Sequence, residues 1–78
     1  MALAFALIKA GTSKELFVYR QLKKIKEVEY VHPLFGEFDL IAKFSGEDYN
    51  RIGEIYQNML EAEGVVKEKC KILNAIKF

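Results

Sequence analysis

The sequence contains one cysteine, one histidine and one proline in 78 residues, and each scarcity closes off some chemistry. With Cys70 alone, no intramolecular disulfide can form, which fits a reducing compartment and leads us to expect a cytoplasmic protein. One His and one Cys supply a metal site poorly, so neither a metal nor another cofactor is expected. His32 and Cys70 could form a nucleophile–base pair only by meeting in space. A buried structural cysteine is far commoner than a catalytic one, and no enzyme activity is expected. Gly11 and Gly46 each stand alone, so no glycine-rich phosphate loop is present. No apolar run approaches the ~20 residues of a membrane helix. The apolar start, Met1 to Ile8, has no basic residues before it and is interrupted at Lys9, which argues for a strand rather than a signal peptide. Twelve basic and 11 acidic residues leave a net charge of +1, without the electrostatic footprint of direct nucleic-acid binding.

What is present is the material of one small globular domain. The chain is 51% hydrophobic and 29% charged, too apolar for disorder. A domain of this size is often marginal alone, and oligomerisation is a common remedy.

Ala2 to Ala10 reads as a first strand with two apolar faces: Leu3, Phe5 and Leu7 on one, Ala4, Ala6, Ile8 and Ala10 on the other. Thr12 and Glu15 have capping-box spacing, and a helix is expected to about Lys26, with Val18, Leu22 and Ile25 as its core stripe. Glu27 to His32 reads as a charged edge strand with Val28, Tyr30 and His32 on one face, ended by Pro33. Gly36 offers the positive φ a hairpin needs. Phe38 to Phe44 alternates again, with Phe38, Leu40, Ala42 and Phe44 against Asp39, Ile41 and Lys43. A second helix starts near Ser45–Asp48, with Tyr49, Ile52, Tyr56, Met59 and Leu60 as its apolar stripe. Gly53 in its middle costs about 1 kcal/mol relative to Ala, which close backbone packing against the sheet would explain. Gly64 reads as a C-cap, and Val65 to about Ile76 as the last strand.

The order strand, helix, strand, strand, helix, strand predicts an α+β fold: a ferredoxin-like βαββαβ sandwich with a four-stranded antiparallel sheet and both helices on one face. The most apolar strands, the first and third, belong at the centre. The other sheet face is expected to expose some combination of Ala4, Ala6, Ile8, Ala10 and Ile41, interrupted by Asp39. An apolar sheet face of that kind predicts a dimer formed by two sheets packing together.

Asp39 is out of place in a strand, since Asp is a poor strand former. Two readings stand: turn chemistry, in which its carboxylate accepts nearby backbone N–H groups, or an acceptor for a cationic ligand group.

The stretch Gly36-Glu37-Phe38-Asp39-Leu40-Ile41-Ala42-Lys43-Phe44, with Val31 upstream, resembles the glycine-x-aromatic-aspartate motif of the Lrp/AsnC transcriptional regulators. The match is to their C-terminal effector-binding RAM domain. Ala4 to Lys9 is similar to that domain's first strand, and Gly64-Val65 to the start of its last. The resemblance covers nearly all of residues 1–78, which read as a single RAM-like domain with no helix-turn-helix. It implies a non-enzymatic module that senses an amino acid or similar small effector. It implies homodimers that assemble into an octamer or similar ring, and a DNA-binding Lrp/AsnC relative as a partner in mixed assembly. By the same resemblance, Gly36, Glu37, Phe38 and Asp39 contribute to the effector site. Two positions depart from the family: where its last strand often carries threonines, this chain has Glu68 and Cys70. Either the ligand differs, with Glu68 favouring a cationic side chain, or none is bound. The alternatives are a small enzyme on a dimeric ferredoxin-like barrel and a purely structural oligomer.

Overall fold

Alternating apolar residues place the first and third strands at the centre of a single sheet. The computed structural model describes residues 1–74. In chain order the elements are β1 (Ala2–Ile8), α1 (Glu15–Lys23), β2 (Val28–Pro33), β3 (Leu40–Gly46), α2 (Tyr49–Leu60), a 3₁₀ turn (Lys67–Lys69) and β4 (Lys71–Asn74). The strands run β2-β3-β1-β4 across the sheet, all antiparallel to their neighbours. This is the expected ferredoxin-like α+β fold, with the two charged strands at the edges.

The core lies between the sheet and the two helices. Val18 and Leu22 of α1 and Ile52, Ile55 and Met59 of α2 pack with Ala4, Ala6 and Ile8 of β1 and Leu40, Ala42 and Phe44 of β3. Asp48 caps α2 by accepting the Arg51 N–H at 2.9 Å. Arg51 also pairs with Glu27, just before β2, and with Glu54 at 3.1 Å, tying α2 to the sheet edge. The Arg51 guanidinium holds the Glu27 carboxyl below its ordinary pKa, and a backbone hydrogen bond adds to that effect.

The face of β1 that meets the helices corrects the expectation. Ala4, Ala6, Ile8 and Ala10 are buried beneath the helices, while Leu3, Phe5 and Leu7 stand on the open face, half-buried, beside Ile41. The physical reason is size. Alanines let the helix axes approach the sheet, and the volume is filled by Leu22, Ile52, Ile55, Met59 and Phe44. Period two fixes which residues share a face and says nothing of which face the helices choose.

Smaller corrections follow from local geometry. β1 ends at Ile8, with Ala10 making an isolated bridge to Val65. Lys14, not Thr12, is the N-cap of α1, and no side chain caps it. A register shift between Val28 and Tyr30 separates residues expected on one face. Tyr30 and His32 then share the open face, ring centroids 4.9 Å apart, while Val31 is buried. Asp39 precedes β3 rather than lying in it. In α2, Tyr49 is exposed and Ile55 is buried. Gly53 is exposed with nothing within 4 Å of where a Cβ would lie, so no close packing explains it. Gly64, at φ +97°, serves the turn after α2, whose C-cap is Glu61. β4 begins at Lys71, six residues later than Val65, because the 3₁₀ turn interrupts the run. Ala75 and Ile76, assigned to that strand from the sequence, lie outside the described residues.

Candidate functional site

Beyond Ile8 the regular ladders of β1 end, leaving the bridge to Val65, and side chains take up the N–H groups of Lys9 and Ala10. The Ala10 N–H donates to Asp39 Oδ2 at 2.8 Å, and the Lys9 N–H donates to Cys70 Sγ at 3.4 Å. On the backbone, Val66 N–H donates to the Lys9 carbonyl at 2.8 Å, and Asp39 N–H to the Ile8 carbonyl at 2.9 Å. The Asp39 carboxylate thus accepts a backbone N–H, as its sequence position suggested, but from Ala10, 29 residues away, and not from its own turn. Lys9 falls opposite Asp39 by continuation of the Ile8–Leu40 register, and its Nζ lies 3.6 Å from Oδ2.

The same geometry opens a cleft of about 500 Å³ between the loop before β3 and the turn before β4. Its walls carry Glu37 and Phe38 from the loop, Glu68, Lys69, Cys70 and Lys71 from the turn, and Lys9 from the end of β1. The Lys71 ammonium lies 6.0 Å from the centre of the Phe38 ring, at the outer limit of a cation–π contact. Burial pushes the Cys70 thiol pKa up; the Lys9 N–H opposes that effect, and Glu68 adds to it. The thiol therefore keeps its proton at neutral pH, and it donates to the Val66 carbonyl at 3.3 Å.

Of the six residues singled out from sequence, Glu37, Phe38, Glu68 and Cys70 line this cleft. Asp39 sits behind it, reached through Lys9, and Gly36 shapes the approaching turn at φ +107°. Lys9, Lys69 and Lys71 were missed. The strand register could have found Lys9, as the residue facing Asp39 across the sheet. No comparable signal marks Lys69 and Lys71. Three ammonium groups and two carboxylates around an aromatic ring can accommodate a small molecule carrying both charges. Among the described residues, no cluster of three or more His, Cys, Asp or Glu could hold a metal, and no helix is long and apolar enough to cross a membrane.

No protein-family model matches the chain, and no curated protein does. Solved structures match it throughout. TTHA0845 from Thermus thermophilus is 24% identical with a TM-score of 0.89, over 100% of this chain and 96% of that one. FFRP-DM1 is 25% identical with a TM-score of 0.88, over 97% and 100%. The transcriptional regulator NMB0573 from Neisseria meningitidis, solved as a complex with L-Met, is 19% identical with a TM-score of 0.82, over 97% and 50%. An AsnC family transcriptional regulator from Agrobacterium tumefaciens also matches, at a TM-score of 0.79. The fold is the one these regulators carry. It occupies about half of each regulator's chain. The siroheme decarboxylase NirDL carries it too, over 26% of its chain, at 15% identity and a TM-score of 0.83.

Proposed function

We propose that this domain is a non-enzymatic sensing and oligomerisation module that takes a free amino acid, or a similar zwitterion, into the cleft beside Lys9. The observation that carries the reading is the composition of that cleft: Lys9, Lys69 and Lys71 line it together with Glu37, Glu68 and the Phe38 ring. A carboxylate can pair with an ammonium, an ammonium with a glutamate, and the ring can cover an apolar side chain. The L-Met complex of a regulator with this fold supports the ligand class.

Leu3, Phe5, Leu7 and Ile41 on the open sheet face form the surface through which two copies pair, with pairs assembling further into an octamer or similar ring. In this reading the module acts on transcription through assembly with a DNA-binding relative of the same fold, without contacting DNA itself.

Thermal unfolding against the twenty amino acids at millimolar concentration tests the proposal. A ligand at 100 times its Kd adds about 2.7 kcal/mol, enough to see in a domain this small. The expected result is a selective rise for one or a few members, weakened in Glu68→Gln. A flat panel sinks the amino-acid reading. Sedimentation at monomer mass at micromolar concentration sinks the assembly reading. The siroheme decarboxylase favours a second reading, an enzyme acting on a tetrapyrrole. Absorbance titration with an iron porphyrin separates the two, since the sensor reading expects no shift.

A further inference from the structure

We infer that Lys9 receives the ligand's carboxylate, and that Asp39 acts through Lys9 as a positioning residue that touches no ligand atom. The inference rests on the amino-acid reading above and assigns roles within that cleft. Lys9 lines the cleft and its side chain is 34% exposed; Asp39 lies behind it at 19%. Asp39 Oδ2 is already engaged twice, by the Ala10 N–H at 2.8 Å and by the Lys9 ammonium at 3.6 Å. Turning Oδ2 toward the cleft would release the backbone at the end of β1, and Asp39 is not among the residues that line the cleft.

Lys9 has the opposite freedom. At 3.6 Å from Asp39 Oδ2 the ammonium is held by charge rather than by a hydrogen bond, so its three N–H donors remain for an incoming carboxylate. Its main chain is held as well, the N–H by Cys70 Sγ and the carbonyl by Val66. Lys69 and Lys71 line the same cleft but are exposed, and among the described residues neither pairs with a carboxylate. Ordering either head group on a ligand costs rotamer entropy that Lys9, held in advance by Asp39, has largely given up. The pre-positioned lysine is therefore the anchor, and the exposed pair tunes affinity around it. The aspartate that most resembles a ligand contact in the sequence is placed one residue behind the site.

Calorimetric titration with matched probes tests this on the whole chain. Each amino acid that stabilises the wild-type protein is compared with its carboxamide, which lacks the carboxylate charge, and with its deaminated acid, which lacks the ammonium. The expected wild-type preference for the acid over the carboxamide is about tenfold or more, from one charge-assisted contact. Lys9→Gln removes that preference and Lys9→Arg retains most of it. Asp39→Asn lowers it, yet leaves the preference for the amino acid over its deaminated form unchanged. Lys9→Gln with the acid preference intact would overturn the inference. So would Asp39→Asn that erases the amino preference, because that places Asp39 on the ligand's ammonium. If Lys9→Gln does not fold, the ¹⁵Nζ resonance of Lys9 in the wild-type protein decides. It must shift with the amino acid and not with the carboxamide. Silence from all twenty amino acids on wild type is a separate outcome, which removes the parent reading and this inference with it.

Discussion

The two faces of the sheet divide side-chain size unequally. Toward the helices, β1 presents Ala2, Ala4 and Ala6 before Ile8, all at 9% exposure or less. Away from them it presents Leu3, Phe5 and Leu7, which remain half-buried in the single chain. The residues that transfer scales rank as most apolar are thus not the best covered. The alanine face is complete within one chain, because the helices supply the missing volume. The Leu/Phe face is completed by another surface or not at all. Helix-on-sheet packing selects small residues for close approach, and the larger ones are left for whatever meets the other side.

The sharpest test of this contrast deletes a phenyl ring from each side. Phe44→Ala is expected to cost about 3–5 kcal/mol at any protein concentration, since Phe44 is fully inside. Phe5→Ala is expected to act through the proposed pairing: chemical denaturation should depend on protein concentration in wild type and lose that dependence in the variant. Equal, concentration-independent losses in both would erase the distinction. Next in size is Ala6→Leu, which adds volume at a fully buried position beneath the helices. Overpacking of this kind typically costs about 1–3 kcal/mol, and a urea midpoint measures it. Gly53→Ala adds a methyl on the outer side of α2, where nothing stands within 4 Å. It should raise stability by about 1 kcal/mol through helix propensity alone. A loss at Gly53 would mean that the outer helix face is covered in solution.

The smallest effect separates the charges of the two sides. Glu27 has its folded-state pKa lowered by Arg51 on the helix side. A depressed carboxyl contributes stability that is fully present above its unfolded value and fades as pH falls through the folded one. Acid unfolding of wild type should therefore show a loss below about pH 4.5 that Arg51→Gln flattens. Glu29→Gln, which removes the 3.2 Å pair with Lys43 on the open face, should change little, as exposed pairs do.

Much of the fold was legible in the sequence because period two and period 3.6 are strong signals in a short chain. Element order and the central strands follow from them, and the positive φ at Gly36 from the freedom of a glycine between two strands. The facing of β1 was not legible, since both of its faces are apolar and packing size, not hydrophobicity, decides. The 3₁₀ turn at Lys67–Lys69 was hidden too, because no Gly or Pro marks it within a run that alternates well. At the cleft, Glu37, Phe38, Glu68 and Cys70 came from the family resemblance, whereas Lys9 needed the register. Asp39 follows neither reading offered for it to the letter: its carboxylate accepts a backbone N–H across the sheet rather than within its own turn, and the cation beside it is Lys9 of the same chain.

The late start of β4 has a consequence of its own. Had the alternation from Val65 onward run straight into Lys71, a ladder would have sealed the edge of β1 and left a flat hydrogen-bonded wall. Instead the chain lifts away for a single turn, and the Cys70 thiol takes the Lys9 N–H on that side, while Asp39 takes the Ala10 N–H on the β3 side. The cleft is therefore an omission in the weave, kept open by the very side chains that make the omission affordable. Between the Leu7–Lys71 pair and the Ala10–Val65 bridge, two residues face five, so deleting Lys67–Lys69, and not exchanging their side chains, is the change that would let the rungs re-form.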